Sequence, residues 1–225
     1  MSTLFEWSIE HYDALAAVGE RVFCDWRHPR HIELIRGHLK ERGEPAMVSV
    51  DEYLRMVEEG VFSRREKIRV ELIREEIRQM SPIGDPHEDA VTMLDYWSHR
   101  VAPKDVKIRV QCSVKLPTAK SVPEPDLVWA VRRDYRKGKP EPADILLLIE
   151  VADTSLALDR GEKAEMYAIA DIRDYWVVNL RDETIEVRRD PGPNGYLSTE
   201  TYSGTQELRP VCCPDAVLVP AEIWE

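Results

Sequence analysis

Residues 145–151 read Ile-Leu-Leu-Leu-Ile-Glu-Val, six apolar side chains around one glutamate, with Asp144 before them and Asp153 soon after. A run this short and this apolar is the pattern of a strand buried on both faces, so the chain must build a sheet with layers packed on either side. A carboxylate within such a strand is costly unless something compensates it. The available compensations are a bound cation, a basic partner, or a place at the solvent-facing end of the sheet. Each of them makes Glu150 the marker of a site.

The 225 residues suit one α/β domain with decoration or a small appendage. No stretch reaches the apolar length of a membrane span. The first residues, MSTLFEWSIEHYD, are amphipathic and acidic and do not read as a signal peptide, so a cytoplasmic location is expected. Cys24, Cys112, Cys212 and Cys213 lack a C-x-x-C spacing, which argues against a structural zinc or a disulfide framework. The formal charge of −11 argues against strong long-range attraction of nucleic acid. Positive charge is nevertheless clustered, in RRDYRKGK (132–139) and RREKIR (64–69). Either stretch could touch phosphates, although solvated loop charge is the plainer reading of each alone.

An imperfect repeat occupies the first third of the chain. SIEHYDALAAVGE (8–20) and IELIRG (32–37) are echoed by SVDEYLRMVEEGV (49–61) and VELIRE (70–75). Ser49 and Glu52 have capping-box spacing, whereas Ser8 has His11 in the glutamate position and a weaker cap. Gly19 and Gly60 are placed to stop the two helices. The pattern is that of a duplicated helix–strand unit. Residues 88–100 then predict a helix with a stripe of Val91, Leu94 and Trp97. Strict alternation from Val106 to Leu116 predicts a half-buried strand whose polar face carries Lys107, Arg109, Gln111, Ser113 and Lys115. A second strand follows in PEPDLVWAV (123–131), entered through Pro123 and Pro125. Beyond the Glu150 strand, residues 159–170 predict a helix, and 174–180 with 184–189 a hairpin around Arg181 and Asp182. The sum is a mixed sheet flanked by helices.

Asp126 opens one strand and Glu150 lies near the end of the next. Neighbouring strands are about 5 Å apart, so the two carboxylates can converge on one hard cation such as Mg²⁺ or Mn²⁺. On the following helix Asp159, Lys163 and Tyr167 recur every four residues and share a face. Lys163 could orient a metal-bound water, although from spacing alone Asp159–Lys163 is an ordinary surface ion pair.

The segments PEPDLVWAV and IEVADTSLALDRGEKAEMYAIADIRDYWVVNL, preceded by VELIREEIRQMSPIGDPHEDAV, resemble the Uma-type putative restriction endonucleases of the PD-(D/E)XK nuclease superfamily. The resemblance spans roughly residues 47–225 and sets residues 1–46 apart as an N-terminal extension. It implies a restriction-endonuclease-like fold, metal-dependent phosphodiester hydrolysis and a nucleic-acid substrate, with DNA expected. It places the early family glutamate at Glu71, the PD aspartate at Asp126 and the acidic residue of the (D/E)XK element at Glu150. The lysine usually found two residues after that acid is Ala152 here, and Lys163 on the next helix matches the Uma-type position. His87 matches a histidine after the first block. Glu71, Asp126 and Glu150 are then the expected ligands of Mg²⁺ or Mn²⁺, with Gln111, His87, Asp159 and Tyr167 in support. Double-strand cutting would call for two sites, which a homodimer supplies. One departure stands out: Glu75 occupies the glycine position of the family's E-L-I-x-G, while the N-terminal repeat keeps it as Gly37. A rival reading is a non-catalytic nucleic-acid- or protein-binding module on the same fold. A zinc hydrolase is disfavoured, because no H-E-x-x-H exists and His28 and His31 read as surface residues.

Overall fold

The computed structural model describes residues 3–4, 7–8, 11, 14–15, 17, 32–35, 38–41, 44–62 and 69–224. Gly19, Cys24, His28, His31, Gly37 and the stretch 64–68 lie outside the described residues. The chain forms two compact units, one of residues 2–81 with 120–122, the other of 82–119 with 123–225.

In the first unit, β1 (Thr3–Leu4) pairs with β6 (Glu76–Gln79), which pairs in turn with β5 (Val70–Ile73). The strands β2 (Ile32–Ile35), β3 (His38–Glu41) and β4 (Glu44–Pro45) form a separate antiparallel sheet. Helix α1 (Val50–Glu58) begins as expected: Glu52 N–H donates to Ser49 Oγ (3.3 Å) and Ser49 N–H to Glu52 Oε2 (2.8 Å). Gly60, at φ +72°, ends it. Ser8 Oγ also accepts from His11 N–H at 3.2 Å, so the weaker cap is made as well. The core gathers Trp7, Leu15, Tyr53, Met56, Phe62, Leu72 and Val122. The strands expected after each helix of the repeat are present, and both, IELI and VELI, also turn back on a partner strand; most of the first copy's helix lies outside the described residues. In the β5–β6 turn Arg74 and Glu75 have φ of +49° and +68°. Two residues with positive φ are what a tight hairpin turn demands, and a glycine accepts that conformation most easily. Glu75 is held there by neighbours: its N–H donates to Lys120 O (3.0 Å), its carbonyl accepts from Val48 N–H (2.8 Å), and its carboxylate meets Lys120 Nζ (2.7 Å).

The second unit carries the six-stranded sheet, ordered β12-β11-β10-β9-β8-β7. Its members are β7 (Val106–Val110), β8 (Leu127–Val131), β9 (Ile145–Ala152), β10 (Asp174–Asn179), β11 (Thr184–Gly192) and β12 (Gly195–Ser203). Only β9 and β10 run parallel, so the sheet is mixed. The parallel step is bridged by the helices α3 (Leu156–Arg160) and α4 (Glu162–Ile169). Helix α2 (Asp85–Val101) starts before the expected residue 88 and packs Val91, Leu94 and Trp97 on one sheet face, with the terminal α5 (Ala221–Trp224) beside it. Trp97 lies over Trp129 and Trp176, with ring centroids 5.2 and 5.8 Å away. Each indole N–H is satisfied, by Val217 O, Ser98 Oγ and Asp174 Oδ1 respectively. Among the described residues no helix is long and apolar enough to cross a membrane.

The strand expected over 123–131 is formed only from Leu127, and two further elements differ from expectation. The alternating strand stops at Val110 rather than running to Leu116, because Gln111 turns to φ +46° and breaks the extended path. The helix expected over 159–170 starts at Leu156 and is interrupted at Gly161, where a Cβ would lie 2.9 Å from Ala157 O.

Candidate active site

Strand register brings the acidic residues together. Leu127 pairs with Ile149, so one step further Asp126 lies opposite Glu150 at the end of the β8–β9 pair. Asp126 Oδ2 accepts from Val151 N–H (2.8 Å), which ties its side chain to the neighbouring strand. Its carbonyl accepts from Gln111 N–H (2.9 Å), so the kink at Gln111 abuts the site through its backbone. His87, in the first turn of α2, places Nε2 3.1 Å from the same Asp126 oxygen.

Glu150 is 3% exposed. Its Oε1 accepts from Lys163 Nζ (3.0 Å) and from Tyr167 Oη (2.6 Å). Of the three compensations open to this carboxylate, the basic partner is present, supplied by α4. Lys163 also lies 3.8 Å from Asp159 Oδ1. Asp159, 2% exposed, accepts from Ser155 Oγ (2.5 Å), and Tyr175 Oη donates to its carbonyl (2.9 Å). The i, i+4, i+8 set thus faces the sheet rather than solvent, and the surface ion pair suggested by spacing alone is a buried network. The break at Gly161 does not separate Asp159 from Lys163.

Electrostatics follow from this burial. Loss of solvation pushes the Glu150 carboxyl upward; Lys163 opposes this, Asp159 and Asp126 add repulsion, and the Tyr167 hydroxyl opposes it again. The net result is a pKa raised to about 8. Tyr175 is also held well above its usual range, by burial first and then by Asp159 and Glu150.

Asp126 and Glu150 offer the hard oxygens that suit Mg²⁺ or Mn²⁺. Among the described residues, no group of three or more His, Cys, Asp or Glu side chains is disposed to hold a metal ion. Glu71 is buried on β5 in the other unit, 1% exposed. Sequence reasoning missed Ser155 and Tyr175, whose hydroxyls fasten Asp159; nothing in their spacing singles them out.

The model of the family described as Uma2, "Putative restriction endonuclease", matches residues 50–225. No curated protein matches the chain. Among solved structures, a "putative nuclease belonging to DUF820" from Anabaena variabilis superimposes with a TM-score of 0.60 at 14% identity. The match covers 79% of this chain and 97% of that one, and at this identity it is a likeness of fold.

Proposed function

The chain belongs to the Uma2 family of putative restriction endonucleases, and from that premise we propose that it hydrolyses phosphodiester bonds in DNA with the help of Mg²⁺ or Mn²⁺. The observation that carries this reading is the convergence of Asp126, Glu150 and Lys163 at one end of the β8–β9 pair.

Asp126 and Glu150 would hold the ion, which when bound stabilises charge on the phosphate and acidifies a coordinated water. The protein's own groups do the rest. The Val151 N–H and His87 fix the rotamer of Asp126. Tyr167 anchors Glu150 from the core side. Lys163, held between Glu150 and Asp159, stands beside the carboxylates and would contact the reacting phosphate or orient an attacking water. Glu71 enters on its place in the family pattern alone, with Gln111 and His87 as supporting residues.

Plasmid cleavage in Mg²⁺ or Mn²⁺, compared between wild type and Glu150→Ala, tests the site. Loss of at least tenfold in rate is expected for the variant, and a similar loss for Glu71→Gln. Equal cleavage by wild type and Glu150→Ala would remove Glu150 from the chemistry. One observation favours a second reading, a binding module without catalysis: Glu150 is already satisfied by Lys163 and Tyr167. Calorimetric titration with Mn²⁺ separates the two readings, because a folded chain that takes up no ion supports the second.

A further inference from the structure

A basic stripe lies on the same sheet face as the carboxylates. Arg109 pairs with Val128, and Val128 with Leu148. Side chains of paired residues share a face, and so do residues two apart on one strand. Lys107, Arg109, Asp126, Val128, Leu148 and Glu150 therefore stand on one side. Ile108, Leu127, Trp129, Leu147 and Ile149 stand on the other, in the core beneath α2. Helices α3 and α4 occupy the carboxylate face over β9 to β12. Over β7, the edge strand, that face instead meets the loop 132–139.

The loop folds back so that Tyr135 collects the charge. Its ring is 8% exposed, and its hydroxyl donates to Val131 O (2.8 Å). Lys107 Nζ, Arg109 Cζ and Arg133 Cζ lie 5.5, 5.2 and 5.0 Å from the ring centroid. Arg133 is committed to Asp144. Lys107 and Arg109 form no ion pair with a carboxylate among the described residues, and the buried Nε of Arg109 makes no hydrogen bond there. Half-buried Lys139 is near enough to Arg109 to have its pKa lowered, by burial first and by Arg109 second. In a chain of net charge −11, three cations held over one tyrosine form a local concentration of positive charge, tempered by Asp134, whose carboxyl Lys107 helps to hold low after Arg136, and by Asp144 on Arg133.

We propose that Lys107 and Arg109, with Lys139 beside them, bind backbone phosphates of duplex DNA flanking the scissile bond, and that Tyr135 is the platform that keeps their side chains extended. The proposal rests on the nuclease reading for its substrate and on charge complementarity for its position. Successive same-face positions on a strand are spaced by about 7 Å. The stripe therefore leads away from Asp126 along β7 and meets phosphates beside the one at the carboxylates. A planar guanidinium and an ammonium held over a ring face are both suited to phosphate oxygens. Such contacts position the duplex without reading its sequence.

The test uses the full chain and a short fluorescent DNA duplex, with anisotropy followed across a salt series and no divalent ion present. Each phosphate contact contributes about 0.9 to the slope of log affinity against log salt. Lys107→Gln with Arg109→Gln should lower the slope by about 2. The charge-keeping pair Lys107→Arg with Arg109→Lys should restore most of it. Arg100→Gln with Arg173→Gln, an equal charge loss at exposed positions on α2 and before β10, should leave it unchanged. An unaltered slope in the first pair, the same loss in the control pair, or no duplex binding by wild type would overturn the proposal. Because no metal is present, the slope is independent of catalysis. A chain that binds with this dependence but never cuts plasmid keeps the stripe and loses the nuclease reading; one that cuts with an unaltered slope loses the stripe alone.

Discussion

Glu150 shows how one side chain can carry both cost and purpose. Its pKa is raised from 4.5 to about 8, so the folded state retains a proton that the unfolded chain releases. The stability this contributes is complete below 4.5 and is lost as pH rises towards about 8. In urea titrations across that window, the wild-type midpoint minus that of Glu150→Gln should therefore fall with rising pH. A flat difference would mean that Glu150 titrates normally. Tyr167→Phe removes a hydrogen bond that favours the ionised carboxylate. It should cost about 1–3 kcal/mol and move the upper end of the pH dependence higher. An unchanged midpoint would show that water replaces the hydroxyl. Glu75, where the family pattern has glycine, illustrates the converse: an unfavourable φ is tolerated because Lys120, Val48 and the turn hold it. Glu75→Gly should shift stability by no more than about 1 kcal/mol, since relief of the strained φ offsets loss of a half-exposed ion pair.

The element that decides the site is the broken helix between β9 and β10. Ala157 O and the backbone of Gly161 approach so closely that a side chain there meets the carbonyl at 2.9 Å. The interruption lets α3 carry Asp159 and α4 carry Lys163 and Tyr167 onto one buried point. Gly161→Ala should destabilise the chain by about 1–3 kcal/mol, the range for overpacking, and lower cleavage by displacing Lys163. A variant as stable as wild type would show that the helices can shift to make room. The periodicity of 159–170 carries no sign of this break, because Asp159, Lys163 and Tyr167 keep helical spacing across it. The strand expected to run to Leu116 failed for a similar local reason. The alternation of residue types continues past Val110, but the chain turns at Gln111 to hydrogen-bond Asp126 O.

Among the described residues, the centre of the six-stranded sheet is almost completely buried. β8, β9 and β10 are flanked on both sides, and most of their side chains are fully buried, whereas β12 is an edge strand with Leu197 83% exposed. Amide hydrogen exchange should be slowest in β9 and its two neighbours and markedly faster along the outer side of β12. Slower exchange in β12 than in β9 would indicate that another surface covers that edge. Much of this arrangement was legible beforehand. ILLLIEV carries the pattern of a strand covered on both faces, because its apolar side chains stand at consecutive positions. Val91, Leu94 and Trp97 had to lie on one helix face. The resemblance to the family over residues 50–225 was readable because the segments around Asp126, Glu150 and Lys163 are locally distinctive. What the sequence could not carry was pairing across distance. Register alone sets Asp126 opposite Glu150, and helix packing alone turns Lys163 and Asp159 from a surface pair into a buried one. The return of the loop 132–139 gathers Lys107 and Arg109 around a tyrosine more than twenty residues away. Local sequence determines which residues are apolar, turning or charged; only the tertiary fold decides which of the charged ones must share a space with little water and therefore depend on one another.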